Sequence, residues 1–283
     1  MTIAIVTGAA SGIGYALAEA MVRRGDTVVM TGRSDTVVAA AELVDRAGVG
    51  TTTSMIVDVR DADGVQRVVD DTVERHGRLD VLVNNAGVGV GGYTHELSLE
   101  HWDRAIDVNI RGVVHGVHAA YPHMLAQRSG HILNVASVAG LLPGVLLAPY
   151  AMSKHAVVGL SMSLRGEAAE HGVRVSALCP GVVETPILDK GNPADLPPVE
   201  TDLPGRQMLE RMNPPMPAAA LAAYTLRAMA RDAAIIVAPR QARAYWWAYR
   251  LAPARVARAV AAPHLAWVRR RVDSGTASPA PTA

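Results

Sequence analysis

The sequence has one cysteine, no phenylalanine and almost no excess of charge. With Cys179 alone the chain cannot form an internal disulfide, so a reducing compartment fits. The formal net charge of +1 gives no global attraction to nucleic acid. No uncharged apolar run reaches about 18 residues, so we expect no membrane-spanning helix. The first residues run straight into a strand pattern, so we expect no signal peptide and a cytoplasmic protein.

Half of the 283 residues are hydrophobic, which is enough to bury one large core. Apolar runs alternate with segments of helical periodicity along about the first 240 residues. We predict strands at 3–7, 27–31, 55–57, 79–83, 131–135, 173–179 and 234–237, and helices at 65–75, 100–116, from 150 onwards and at 218–231. This alternation predicts an α/β fold with a doubly wound parallel sheet of about seven strands.

A glycine-rich turn lies between the first predicted strand and the helix that follows it. Its key residues are Gly8, Ser11, Gly12, Ile13 and Gly14. Glycines let the backbone turn tightly and approach a ligand, and the free amides at the start of a helix attract an anion. The arrangement is typical of a site for a dinucleotide pyrophosphate. The alternative is a tight turn that serves only close packing.

The end of the second predicted strand indicates which dinucleotide would bind. An acidic residue there holds the ribose 2′-hydroxyl, whereas an arginine suits a 2′-phosphate. Arg33 occupies this place, so NADP(H) is favoured and NAD(H) is the alternative, although Arg33 could also be a solvated loop residue. After the third strand, Asp58 either accepts from the adenine amino group or caps the helix that begins near Asp61.

Tyr150 and Lys154 lie about one helical turn apart, so the phenol and the ammonium project from one face. A nearby cation lowers the pKa of a tyrosine, which suits proton transfer to or from an alcohol or ketone oxygen. The spacing alone also fits an amphipathic pair with its lysine in water. Ser137 ends the fifth strand, where an open α/β sheet places its ligand. Asn109 lies inside a predicted helix, where it either faces water or disturbs the backbone to serve a site.

Together and in order, these motifs resemble the single-domain branch of the short-chain dehydrogenases/reductases over about residues 2–240. The matching residues are Thr7, Gly8, Gly12, Ile13, Gly14, Asn84, Asn85, Ala86, Gly87, Asn109, Ser137, Tyr150, Lys154, Pro180 and Gly181. The resemblance implies a Rossmann-type fold. It implies that Tyr150 is the general acid or base and that Lys154 tunes it and holds the nicotinamide ribose. It also implies that Ser137 binds the substrate oxygen and that Asn109 holds a water.

The resemblance further implies which residues contact the cofactor. These are Gly8, Ser11, Gly12, Ile13, Gly14, Arg33, Asp58, Val59, Asn85, Ala86, Gly87, Tyr150, Lys154, Pro180, Gly181, Val183 and Thr185. No metal is required, because the hydride comes from the cofactor. Some NADP-preferring members carry a basic residue where this chain has Ser11, so the preference depends on Arg33. Helices such as those at 101–127 and 150–170 form subunit interfaces in the family, which implies a homodimer or homotetramer.

The residues expected to face the substrate are mostly apolar. They are Ser137, Ala139, Leu141, Leu142, Leu146, Leu147, Tyr150, Val182 and Leu188, with Tyr93 and His95 as further polar candidates. This lining predicts a lipophilic ketone, aldehyde or secondary alcohol of steroid, fatty or aromatic type. The sequence therefore indicates an NAD(P)(H)-dependent oxidoreductase. The rival hypothesis is a dinucleotide-binding regulatory or interaction protein with little turnover.

We divide the chain into a catalytic domain at 1–240, a basic helical extension at 241–273 and a disordered tail at 274–283. The proline-rich stretch 186–217 is predicted to be a substrate lid. From Arg240 to Arg271 the extension contains eight arginines, three of the four tryptophans and no acidic residue. Residues 241–271 could lie on a membrane surface or pack on the same or a neighbouring subunit, and we favour packing. Nucleic-acid binding is not expected.

Overall fold

The computed structural model describes residues 1–201, 206 and 214–273. Its strands are β1 (Ile3–Thr7), β2 (Thr27–Gly32), β3 (Thr51–Ile56), β4 (Val81–Asn84), β5 (Gly130–Val135), β6 (Val173–Pro180), β7 (Val183–Glu184), β8 (Met216–Pro217) and β9 (Ile235–Ala238). Seven of them form a parallel sheet in the order β3-β2-β1-β4-β5-β6-β9. The predicted α/β fold with a sheet of about seven strands is confirmed.

Helices connect the strands and continue beyond the last one. They are α1 (Gly12–Arg23), α2 (Thr36–Asp45), α3 (Ala62–His76), α4 (Leu99–Ile106), α5 (Gly112–Gln127), α6 (Ala148–Ala169), α7 (Ala218–Ala230), α8 (Arg240–Leu251) and α9 (Pro253–Asp273). A π-helical turn, Asp107–Arg111, joins α4 to α5, and short 3₁₀ turns cover Val138–Gly140 and Pro186–Leu188. The predicted helical C-terminal extension is thus formed by α8 and α9.

The sheet is covered on both faces because alternate residues of each strand point to opposite sides. Val6 packs with Leu17 of α1 and Leu221 of α7 in one buried cluster. Its neighbour Ile5 packs with residues of α3, α5 and α6 in a second cluster, of which Met124 is a member. Strands buried on both faces read as continuous apolar runs, and this explains why most of them could be found from the sequence.

The chain order of the sheet reverses between β1 and β4. From β1 the chain adds β2 and β3 on one side, and then crosses to place β4 on the other side of β1. Connections leave the carboxyl ends of β1 and β4 in opposite directions, which opens a crevice there. Thr7 and Asn84 end the two strands at this crevice.

Three local predictions need correction. The third strand covers Thr51–Ile56 instead of 55–57, and the helix α2 at Thr36–Asp45 was not predicted. The helix predicted at 100–116 is interrupted by the π-helical turn. The third strand lies at a sheet edge and the π-helical turn at the candidate site, where residues do not follow the simple burial pattern.

The predicted lid is closed at its base by a small two-stranded sheet. β7 pairs with β8 in parallel, with Val183 opposite Met216 and Glu184 opposite Pro217. Lid residues 202–205 and 207–213 lie outside the described part of the chain, as does the tail 274–283 whose disorder was predicted. Among the described residues no helix has both the length and the hydropathy needed to cross a bilayer. The predicted oligomer stays a prediction.

Candidate active site

The glycine turn after β1 has a backbone that only glycine fits. Gly8 has φ +62° and Gly12 has φ +60°, in the left-handed region that other residues rarely adopt. A Cβ atom on Gly8 would lie 2.8 Å from Ala86 Cα, and one on Gly12 would lie 3.1 Å from Thr185 Cγ2. The turn therefore packs directly against the loops that follow β4 and β6. All four residues were predicted to contact a cofactor, and the structure brings them to one crevice.

The N-terminus of α1 is open to an anion. Ser11 is the N-cap residue, is exposed, and makes no capping hydrogen bond with its side chain. The first amides of the helix thus keep their positive partial charge, as a bound diphosphate requires. Ile13 is half-buried and packs on the core below, and Gly14 has no room for a side chain because Asn85 Nδ2 would lie 2.4 Å from its Cβ.

Thr7 and Asn85 fasten the glycine turn to the end of β4. The Asn85 and Ala86 amides donate to Thr7 Oγ1 at 2.9 and 3.0 Å. Asn85 Nδ2 donates to the carbonyl oxygens of Thr7 and Gly8 at 2.9 and 3.0 Å. The main-chain N–H and the Nδ2 group of Asn85 are therefore both committed to the protein, and a cofactor contact at Asn85 would use one of its oxygen atoms. The role of Thr7 was not predicted, although it stands at the head of the motif.

Asp58 does not cap the following helix. That position belongs to Asp61, whose Oδ1 accepts from Gly64 N at 3.0 Å. The Asp58 carboxylate instead accepts from the main chain and guanidinium of Arg60, with Oδ2 2.7 Å from Nη2. This hydrogen bonding lowers the pKa of Asp58, and the charge of Arg33 adds to the effect. Of the two alternatives for Asp58, helix capping is wrong.

Two further residues predicted to contact the cofactor, Arg33 and Val59, differ in their exposure to solvent. Arg33 is exposed at the end of β2 and forms no ion pair with any described residue. Val59 is buried and packs against Gly112, whose Cβ would lie 2.7 Å from Val59 Cγ2. Its carbonyl oxygen also lies 2.8 Å from His115 Nδ1. A planar, positively charged side chain thus faces solvent beside a fixed apolar wall.

The four predicted catalytic residues come together beyond β5. Ser137 follows the strand, and Tyr150 and Lys154 lie in the first turns of α6. Lys154 Nζ donates to the Val135 carbonyl oxygen at 2.9 Å and lies 5.7 Å from the Tyr150 ring centroid. The Ser137 hydroxyl lies close enough to the phenol of Tyr150 to lower its pKa. A hydroxyl, a phenol and an ammonium therefore share one end of the sheet.

Asn109 is held inside the π-helical turn. Its Oδ1 accepts from Val88 N at 2.9 Å, and its Nδ2 donates to Val88 O and to Ser153 Oγ, each at 3.0 Å. Ser153 Oγ donates in turn to the Tyr150 carbonyl oxygen at 2.7 Å. Asn109 is fully buried, so the alternative in which it disturbs the helix backbone is confirmed. Any water at Asn109 would be held by its main chain.

Gly87 shows how closely these elements meet. A Cβ atom on Gly87 would lie 3.2 Å from Asn109 Oδ1 and 3.4 Å from Lys154 Nζ. The glycine after β4, the π-helical turn and α6 therefore enclose one small volume. Ser153, which links two of them, was missed because a serine inside a helix carries no signal of its own in the sequence.

Burial changes the acidity of the site. It raises the pKa of Tyr150, and the hydrogen bond with Ser137 offsets part of the rise. Burial also lowers the pKa of Lys154 to about 8. The expectation of a Tyr150 pKa below its ordinary value is not met, because the desolvation of a phenolate dominates. Beneath them, burial raises the pKa of the Cys179 thiol to about 12.

The expected substrate side is largely apolar. Ala139 and Leu188 are buried, whereas Leu147 and Val182 are half-buried beside the crevice. Leu141 packs into a core cluster with Val157, Cys179 and Trp246 on the side of the C-terminal extension, and its contact with the substrate stays a prediction. Tyr93 and His95 stack on each other with ring centroids 5.5 Å apart.

The end of β6 completes the crevice. Gly181 N donates to the Ala238 carbonyl oxygen at 2.7 Å, which places the Pro180–Gly181 pair at the border with β9. Val183 is buried in β7, and Thr185 Oγ1 donates to its carbonyl oxygen at 3.2 Å. Because Thr185 also packs beside Gly12, this loop borders the N-terminus of α1.

The first half of the predicted lid is fastened to the loop before α4 and to α4 itself. Asn192 exchanges two hydrogen bonds of 2.8 Å with the main chain of Gly91. Arg104 of α4 binds both carboxylate oxygens of Asp195, at 3.0 and 2.6 Å. This pair was not predicted, because partners 91 residues apart leave no local pattern. No group of three side chains able to ligate a metal occurs among the residues described.

Comparison with known proteins identifies the family. The family model for the short chain dehydrogenases matches residues 2–195. The oxidoreductase UcpA of Salmonella typhimurium is 38% identical over 228 residues, which cover 78% of this chain and 86% of that protein. The chain therefore belongs to the short-chain dehydrogenase/reductase family, as the sequence motifs implied.

Two solved structures are similar over most of their own length. A short-chain dehydrogenase/reductase from Burkholderia phymatum in complex with NAD has a TM-score of 0.77 and 32% identity, covering 100% of this chain and 96% of that chain. A metagenomic short-chain oxidoreductase in complex with NADP has a TM-score of 0.61 and 38% identity, covering 64% of this chain and 83% of that chain. Both likenesses agree with the Rossmann-type architecture described above.

Proposed function

We propose that this protein is an NADP(H)-preferring carbonyl reductase that interconverts a lipophilic ketone or aldehyde and its alcohol. The observation that carries the proposal is the convergence of Ser137, Tyr150 and Lys154 beyond β5, beside the glycine turn of β1. A dinucleotide-binding protein without turnover would not need a phenol and an ammonium enclosed at the same end of the sheet.

The residues of the crevice fit a nicotinamide dinucleotide. The positive φ angles of Gly8 and Gly12 bring the main chain to the open N-terminus of α1, which suits a diphosphate. The NAD and NADP complexes of two similar proteins support the same class of cofactor. When bound, such a cofactor supplies or accepts the hydride.

Tyr150 is proposed to move the proton. Because burial raises its pKa, the side chain is a neutral phenol at neutral pH. This is the form that donates a proton to a carbonyl oxygen as the oxygen gains charge. The Ser137 hydroxyl, which lies beside the same phenol, would orient the substrate oxygen.

Lys154 is proposed to act through charge. Its ammonium is fixed by Val135 at the carboxyl end of β5, and burial lowers its pKa to about 8. At neutral pH it remains mostly protonated, and a cation there stabilises the phenolate that is left after proton donation. Asn109 acts by position, since it ties the loop after β4 to Ser153 of the same helix.

The apolar lining supports a lipophilic substrate. Ala139, Leu147, Val182 and Leu188 supply aliphatic surface around the proposed acid. Aliphatic walls bind apolar groups by excluding water but provide no partner for the hydroxyls of a sugar. We therefore propose a steroid, fatty or aromatic ketone ahead of a sugar or a small charged acid.

Replacing Tyr150 with phenylalanine tests the mechanism. Tyr150→Phe keeps the ring but removes the proton donor, so kcat/KM should fall by at least about a hundredfold. The assay follows NADPH oxidation by its absorbance with a panel of lipophilic ketones and sugars. Tyr121→Phe is the control, because Tyr121 lies on α5 and packs, partly buried, against the core cluster that contains Ile5 and Met124. Equal rates for Tyr150→Phe and the wild type would exclude Tyr150 as the acid.

Cofactor choice is tested at Arg33. An exposed guanidinium that meets a 2′-phosphate contributes charge-assisted hydrogen bonds, so Arg33→Ala should weaken NADPH binding by about tenfold to a hundredfold. NADH binding should change little, because NADH lacks the phosphate. Titration by cofactor fluorescence measures both, with the exposed Arg46→Ala as a matched control. The same loss for both cofactors would contradict the proposed preference.

A further inference from the structure

Helix α8 has apolar residues on two opposite faces. Its inner face carries Ala242, which is buried, and Trp246, which packs against the core cluster containing Leu141. A helix that packs on a domain with one face normally has a polar face opposite. Here Trp247 is 53% exposed and Leu251 is 85% exposed, one turn apart on the outer side.

The outer apolar strip is defined by Ala244, Trp247, Ala248 and Leu251. Helical spacing places these residues on one side of α8, and all four are exposed. Most of the large apolar side chains of this protein are buried, so an exposed indole and an exposed leucine side by side are unusual. Such a strip indicates a surface that contacts something other than water.

Positive charge accompanies the strip, both in the sequence and on α8. The sequence from Arg240 to Arg271 has eight arginines and no acidic residue. Arg250 lies along the strip, with its guanidinium carbon 5.6 Å from the Trp246 ring centroid and 5.5 Å from that of Trp247. Within the described part of the chain, neither Arg243 nor Arg250 forms an ion pair; Arg243 donates to the Tyr224 hydroxyl at 2.9 Å. The charge is thus available to an outside partner.

Charge and side-chain type together select one occupant. A second copy of this chain packed on the strip would bring two basic C-terminal extensions together, and like charges at an interface oppose association. An anionic phospholipid surface satisfies both features, since tryptophan and leucine enter the boundary between headgroups and acyl chains while arginines meet phosphates. We propose that α8 docks this protein on anionic phospholipid membranes through Ala244, Trp247, Ala248 and Leu251.

Docking at this place would bring the groove beside α8 near the lipid. The inner face of α8 lines this groove together with Gly140 and Leu141, and Gly140 packs against the main chain of Lys154. A lipophilic substrate dissolved in the bilayer would then have a short path to the site. This consequence rests on the proposed function, whereas the docking itself does not.

Vesicle binding of the full chain tests the proposal. Wild-type protein should co-sediment with vesicles of mixed phosphatidylglycerol and phosphatidylcholine, but not with phosphatidylcholine alone, and raised salt should weaken the binding. The double variant Trp247→Gln, Leu251→Gln should lose at least about tenfold in binding, because both side chains would leave water on docking. Leu43→Gln is the control, since Leu43 is 57% exposed on α2, far from the extension.

Three results would overturn docking. They are the absence of binding to anionic vesicles, equal binding of wild type and double variant, and equal binding to vesicles without anionic lipid. Light scattering in lipid-free buffer adds a fourth, because a larger assembly for wild type than for the double variant would identify a second copy as the occupant. None of these measurements depends on turnover, so failure here leaves the proposed reductase activity untouched.

Discussion

Replacing Lys154 with methionine should make the protein more stable while removing its activity. Lys154 is 4% exposed, and its ammonium donates to the Val135 carbonyl oxygen. Burial lowers the pKa of Lys154 from the ordinary value of 10.5 to about 8. The folded protein thus holds a charged group in a place that favours the neutral form, and this costs stability at neutral pH. Methionine fills a similar volume without the charge.

The size of the effect follows from the two pKa values. The difference between 10.5 and about 8 corresponds to a cost of about 3 kcal/mol when the lysine is charged in both states. Lys154→Met leaves the Val135 carbonyl oxygen without its hydrogen-bond donor, which reduces the expected gain in the free energy of unfolding by about 1–2 kcal/mol. We therefore expect a net gain of about 1–2 kcal/mol in the free energy of unfolding at neutral pH, of the kind seen when a functional site is relieved of strain.

The pH dependence gives a sharper signature. The loss of stability caused by the buried ammonium is fully present when the pH is below about 8, the pKa of Lys154 in the folded protein. It disappears as the pH rises toward 10.5, because in this range the unfolded chain binds more protons than the folded protein. Lys154 should therefore make wild type about 1 kcal/mol more stable on going from about pH 7 to about pH 9. Lys154→Met should lack this rise, whereas the exposed Lys190→Met should keep it.

Urea unfolding of wild type, Lys154→Met and Lys190→Met at both pH values measures all three quantities. Isotope-labelled lysine followed by NMR reports the titration of Lys154 directly. The reasoning is refuted if Lys154→Met is less stable than wild type at neutral pH, or if both proteins gain equally as the pH rises.

Two further outcomes are expected. Gly8→Ala should lower the free energy of unfolding by about 1–3 kcal/mol and abolish cofactor binding, because Gly8 has φ +62° and no room beside Ala86. The control Gly166→Ala has open space on α6 and should raise the free energy of unfolding by about 0.5–1 kcal/mol. Calorimetry of both variants measures the two changes. Burial lowers the pKa of His131 from 6.5 to about 4, so the free energy of unfolding should fall by up to about 3 kcal/mol as the pH drops between these values. His131→Gln should abolish this fall when it is measured by urea unfolding. The same dependence of stability on pH in the variant and the wild type would contradict the prediction.

Most of the sheet could be predicted because its strands are buried on both faces and form continuous apolar runs. The strand β3 is the exception, since it lies at the sheet edge and reads Thr51-Thr52-Thr53-Ser54, a polar run. Polar residues on an edge strand satisfy the local packing but erase the hydrophobic signal. The helix α2 was missed although Val37 and Val44 are buried at helical spacing in it.

The candidate site was predictable as a set of residues and much less as a set of contacts. Tyr150 and Lys154 are marked by their spacing, but the direction of the Tyr150 pKa depends on burial, which the sequence does not give. Likewise Arg60 donates a hydrogen bond to the carboxylate of Asp58, and Asn109, which lies within the π-helical turn, accepts one from the main chain of Val88. Such pairings depend on how distant segments meet, and no local pattern encodes them.

The short ladder of β7 and β8 holds both ends of the chain segment that joins these two strands. Since Val183 pairs with Met216, the intervening chain leaves and returns at one fixed point. The entropy of closing a loop grows slowly with its length, so insertions and deletions there cost the scaffold little. Chimaeras joined at this ladder are therefore expected to exchange the segment between β7 and β8 while the main sheet is kept intact.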